Sequence, residues 1–231
     1  MGDVMIVSLK KILVVLGLMI LTAGCGSTGS SRVVTQTQNV ISPNANTLPT
    51  GEASLTKSWA HAPIAFYISN NIPDRLVQPI LDSFSDWEES AGQSLFNYQG
   101  RIDSATPTAD GRNVVYWNPE RNPDGLLGVT TTRIHNNHEI IEGDITFFGN
   151  PDLYDALHCE GSVSNCRVRV GKFDVTTLAL HEIGHLLGFE HAHEEGGVMN
   201  PDFGMNDVVH NLDNEMIAQV QEAYPAQVAQ R

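Results

Sequence analysis

Cysteine is scarce in this chain. Three among 231 residues are too few for a zinc site built of thiolates alone. Cationic side chains are scarce as well: 13 Lys and Arg stand against 27 Asp and Glu, for a net charge of −14. That balance leaves no basic face for a phosphate backbone and no electrostatic grip on anionic lipid, so no nucleic-acid partner is expected. The uncharged run from Ile12 to Ala23 falls short of the ~20 residues that span a bilayer comfortably. No internal repeat is present. Aromatic residues are missing from 26–57, and that stretch, rich in Ser, Thr, Asn, Gln and Gly, cannot bury a core of its own.

The chain opens with a targeting segment. Lys10 and Lys11 precede the uncharged run, which ends Leu21-Thr22-Ala23-Gly24-Cys25. Small residues leading to a cysteine resemble the bacterial lipobox, although Thr22 stands where leucine is commoner. The resemblance implies cleavage after residue 24 and acylation of Cys25. Attachment would then come from acyl chains, at ~0.8 kcal/mol per buried CH₂. The expected product is an exported lipoprotein of the outer membrane or cell surface, or a secreted protein if Cys25 stays free. Removing residues 1–24 takes away Asp3, Lys10 and Lys11 and moves the net charge from −14 to −15. Residues 25–57 read as a flexible tether, 58–225 as one folded domain of ordinary size and 226–231 as a frayed end. Cys159 and Cys166 flank the short polar loop EGSVSN, which predicts a local disulfide in an exported chain.

The densest chemistry lies in eleven residues, HEIGHLLGFEH, from His181 to His191. On a helix, His181 and His185 are four apart and project from one face. Both imidazoles can then reach one zinc ion at ~2.0–2.1 Å. Glu182 lies beside them, placed as a general base toward a water activated by the metal. Gly188 lets the helix end in a left-handed turn, and the chain returns His191 as a third ligand. Three protein ligands leave a position open, which marks a catalytic site. Met199 follows in GGVMNPDFG. The extended zinc motif with its methionine turn resembles the metzincin metalloproteases, and the run Met199, Pro201, Phe203 is most similar to the matrixin branch. The resemblance implies one catalytic Zn2+ and an apolar floor of Met199 under the three imidazoles. It also makes Pro201 and Phe203 walls of the pocket for the residue after the cut. The implied fold is α+β: a twisted mixed sheet of about five strands, an active-site helix, a second long helix and a C-terminal helix.

Patterns elsewhere suit such a domain. PIAFYIS at 63–69 alternates as a strand. Leu76, Ile80, Leu81, Phe84 and Trp87 recur at helical spacing behind Asp74. Short strands are expected at 95–99 and 114–117. Residues 127–134 and 139–148 read as two more, and the resemblance makes the second the antiparallel edge strand to which an extended peptide would add. Leu212, Met216, Val220 and Ala223 stripe a last helix behind Asp213. The chain departs from vertebrate matrixins in three places. No cysteine lies between 26 and 158 to cap the zinc, Thr146 stands where a structural-zinc ligand is expected, and Asn200 stands where tyrosine is common. His135, His138 and His158 read as loop residues, and Asp144, Asp152 and Asp155 are candidates for Ca2+ without a strong spacing pattern.

These features predict a monomeric zinc-dependent endopeptidase acting on protein or peptide substrates. The alternatives are a zinc-containing binding or adhesion lipoprotein with weak catalysis, which the presence of Glu182 disfavours, and a zinc amidase acting on cell-wall peptides.

Overall fold

A computed structural model describes residues 33–39, 53–103, 106–136, 138–159, 166–192 and 196–225. The signal segment, Cys25 and residues 226–231 lie outside the described residues. Among those described, no helix is long and apolar enough to cross a membrane.

Strands β1 (Val33–Asn39), β2 (Ser58–Trp59) and β3 (Ile64–Ser69) precede helix α1 (Asp74–Ala91). Then come β4 (Phe96–Ile102), β5 (Val114–Asn118), β6 (Gly128–His135) and β7 (Glu139–Phe148). Short strands β8 (Tyr154–Asp155), β9 (His158–Cys159), β10 (Cys166–Arg167) and β11 (Phe173–Asp174) lead into α2 (Val175–Leu187), and α3 (Asn214–Ala223) follows. The main sheet runs β1-β6-β7-β5-β3-β4, with β2 beside β7. Pairing is parallel from β7 through β5 and β3 to β4, and antiparallel between β6 and both β7 and β1.

The sheet has seven strands rather than about five because the N-terminal segment adds β1 and β2. The expected edge strand also changes. The antiparallel member of the pair is β6, and 139–148 forms β7, which lies between β6 and β5. Burial gives the reason. From Glu142 to Phe147, successive residues of β7 are all buried, whereas the far half of β6 alternates buried with half-buried. A strand covered on both faces belongs inside a sheet.

The inner stripe of α1 packs on α2. Leu76, Ile80, Phe84 and Trp87 are buried, each contributing ~1.5–3 kcal/mol, and Trp87 Nε1 donates to Leu180 O at 3.1 Å. All residues of α2 but one are buried, so it is the central core helix rather than a surface one. Asp174 caps it, accepting from Thr177 N and Oγ1 at 2.9 and 2.7 Å. Residues 53–57, placed in the tether by composition, pack against the far end of α2. Thr56 N donates to Gly188 O and Glu190 N to Ser54 O, both at 3.1 Å.

Candidate active site

Helix α2 carries His181 and His185 one turn apart, both buried. It stops at Gly188, whose φ is +110° and whose N–H reaches Gly184 O and His185 O at 3.1 and 3.0 Å. The chain then brings His191 back to the helix. The three Nε2 atoms converge, His185 lying 3.0 Å from each of the others and His181 lying 3.2 Å from His191. The opposite nitrogens show that the contact between the two helical histidines is not a hydrogen bond. His181 Nδ1 donates to Val198 O at 2.7 Å, and His185 Nδ1 to Phe189 O at 2.8 Å. With their protons assigned there, the Nε2 atoms of His181 and His185 present bare lone pairs to one another. Burial keeps both rings neutral, holding His181 down to about 3 and His185 well below its ordinary value, with neighbouring histidines adding to both shifts. Lone pairs aimed at one point repel unless a cation sits between them. Nitrogens bound tetrahedrally at zinc distances lie ~3.3 Å apart, close to the spacing observed. The donor set fits zinc, and among the described residues it is the converging group of three or more His, Cys, Asp or Glu side chains.

Glu182 has no exposed surface. Thr130 Oγ1, on β6, donates to its Oε2 at 2.6 Å, while Oε1 has no hydrogen-bond partner. Burial pushes the carboxyl up to about 8, and the Thr130 bond acts in the opposite direction. Met199 lies against α2 between the two helical histidines: a Cβ on Gly184 would meet Met199 Sδ at 2.4 Å. The same turn supplies Val198 O to His181, and Met199 O accepts from Ala192 N at 3.1 Å, just past His191.

The Matrixin family model matches residues 58–225, more than two thirds of the chain. The chain is a matrixin. A search of curated proteins finds no match. The α+β architecture, with its mixed sheet and, among the described residues, three α-helices, accords with the metzincin fold.

Beside the histidines of this matrixin is a cavity of about 470 Å³, lined by Phe203 together with Leu126, Leu127, Phe148, Tyr154 and Met205. The Phe203 ring stands edge-on to His181 with centroids 5.4 Å apart, so the cavity wall touches the ligand set. Of the two expected walls, Phe203 lines this cavity, and Pro201 is buried outside its lining. Strands β9 and β10 place Cys159 opposite Cys166, and the side chains themselves lie outside the described residues. Asp144, Asp152 and Asp155 form no converging group. Asp144 is buried, accepts from Val114 N at 2.9 Å and is raised to about 7 by that burial. Asp155 and Asp152 face Arg169 and Arg75, at 3.4 and 3.6 Å.

Sequence reasoning missed Thr130 and Gly128. A strand's period of two puts both on one face of β6, but only the register of β6 against α2 shows that this face meets Glu182. Leu127 and Met205 carry no pattern that sets them apart from core residues.

Proposed function

We propose that this matrixin is a zinc-dependent endopeptidase acting on protein or peptide chains. The observation that carries the reading is the meeting of three Nε2 atoms, two of them from the helix that also holds a wholly buried carboxyl with one unpartnered oxygen. A bound zinc supplies Lewis acidity toward a carbonyl oxygen and makes water more acidic at that point. His181, His185 and His191 would hold the metal through Nε2, the first two rings being aimed by Val198 O and Phe189 O. Glu182 Oε1 accepts a proton from the attacking water and delivers it to the departing amine. Phe203 and Leu127 offer an apolar wall to a side chain of the peptide.

The same proposal includes export through residues 1–24, acylation at Cys25, action as a monomer and a Cys159–Cys166 disulfide. The opposed positions of the two cysteines on β9 and β10 favour the disulfide.

Digestion of a peptide library with and without a chelator tests the activity. The zinc-loaded chain cleaves, the chelated one does not, and added zinc restores cleavage. Glu182→Ala keeps stoichiometric zinc and loses turnover by roughly 10²–10⁴-fold. Wild-type rates from that variant refute the choice of base, and an intact library refutes the peptidase reading.

A further inference from the structure

We infer that Thr130 is a positioning residue for Glu182, holding Oε2 so that Oε1 alone is left to take a proton. The inference rests on the peptidase reading above and adds a residue that the zinc motif does not contain.

Thr130 is buried in β6, 1% exposed. Its hydroxyl lies against one residue twice, 2.6 Å from Glu182 Oε2 and 3.0 Å from Glu182 O. A hydroxyl has one proton to give, and the shorter contact to a carboxylate oxygen is the stronger acceptor. The proton therefore goes to Oε2, and the carboxylate is pinned at that one oxygen.

Gly128 shapes the other oxygen. It lies two residues earlier on the same face of β6. A Cβ built there would stand 2.3 Å from Glu182 Oε1 and 2.9 Å from Cδ. Strand β6 thus gives Glu182 a hydrogen bond at Oε2 and, at Gly128, the room of a missing side chain that Oε1 fills. The result is a carboxylate with one satisfied oxygen and one unsatisfied, buried oxygen. Without the hydroxyl the group can turn about its last bond, exchange its oxygens or withdraw, and its alignment is lost although every metal ligand remains.

A purely structural role would need only the β-branched shape of Thr130, packed between strand and helix. Thr130→Val keeps that shape and removes the donor, and Thr130→Ser keeps the donor. The assay uses the zinc-loaded full chain and one peptide cleaved by the wild type, and reads kcat and KM separately alongside zinc stoichiometry and melting temperature. Crystal structures of the metal-free proteins report the position of the Glu182 carboxylate.

Thr130→Val is expected to lower kcat roughly 10–100-fold with KM within about twofold and zinc content unchanged. Thr130→Ser is expected to retain most of kcat. In the metal-free Thr130→Val crystal the carboxylate leaves its position or takes several. Wild-type kcat in Thr130→Val, or equal losses in the Val and Ser variants, overturns the inference. Should Thr130→Val fail to fold, Thr130→Cys, of similar size and a weak donor, is read by the same criteria. If the wild type cleaves no peptide, the peptidase reading falls, and the crystallographic position of the carboxylate alone decides the role of Thr130.

Discussion

Replacing Gly188 by alanine tests whether the end of the zinc helix and the N-terminal segment form one unit. Gly188 is required on two counts. Its φ of +110° is one that L side chains rarely adopt, at a cost of roughly 1–2 kcal/mol. A Cβ there would also stand 2.0 Å from Lys57 O and 2.7 Å from Lys57 C. These are backbone atoms, so the segment as a whole must move. That movement breaks the Thr56–Gly188 and Glu190–Ser54 hydrogen bonds, each worth ~0.5–1.5 kcal/mol. The combined loss is roughly 2–5 kcal/mol, or on the order of 5–20 °C in Tm for a domain of this size. Gly92→Ala is the control: φ is +67° there, but no atom lies within 4 Å of the added Cβ, which leaves about 1 kcal/mol of conformational cost. Calorimetry of the zinc-loaded variants measures the first effect. Competition with a chelator measures the second, a weaker hold on zinc in Gly188→Ala, because His185 is aimed by the carbonyl of the very next residue, Phe189. Equal Tm losses in the two variants, or unchanged zinc affinity in Gly188→Ala, would refute the reasoning.

Glu182→Gln should stabilise the metal-free protein in a pH-dependent way. The carboxyl moves from 4.5 to about 8 on folding, so the wild type loses stability as pH rises through that window and the amide does not. The gain therefore grows between pH 4.5 and 8 to roughly 3–5 kcal/mol in denaturant melts; a gain independent of pH contradicts the burial assigned to this group. Truncation probes the sheet edge. In the full chain β1 occupies the outer edge of β6, with Asn39 opposite Val129 and Val33 opposite His135. A chain starting at residue 51 leaves that edge open to an extended peptide, so KM falls severalfold with kcat unchanged. An unaltered KM would show that substrate does not use β6.

The three converging histidines are legible in the sequence because they sit on one helix and the turn that ends it, whose geometry is local. Spacing alone puts His181 and His185 on one helical face, and Gly188 signals the turn that returns His191. The long helix behind Asp74 is legible for the same reason. What escapes the sequence is non-local. Both 127–134 and 139–148 look like strands, but which lies inside is set by the crossover that inserts β7 between β6 and β5. The run Thr130, Thr131, Thr132 reads only as strand-forming; the register of β6 against α2 singles out the first. Strand β1 was hidden by averaging. The polar composition of 26–57 argues for a tether, yet VVTQTQN holds four β-branched residues in seven, and an open sheet edge is enough to order such a segment.

Residues 53–59 and the last helix meet at one place. Gln219 accepts from Leu55 N at 2.8 Å and donates to Ala53 O at 2.9 Å. Trp59 N donates to Tyr224 Oη at 3.2 Å, and that hydroxyl donates to Leu187 O at 2.7 Å. Residues 53–59 and 219–224 are thus buckled together at the foot of the helix that bears the histidines. A circular permutant joining residue 225 to residue 53 through a short linker, and opened at a remote exposed turn, would keep the buckle fastened. Clipping either end would slacken the scaffold of the three histidines.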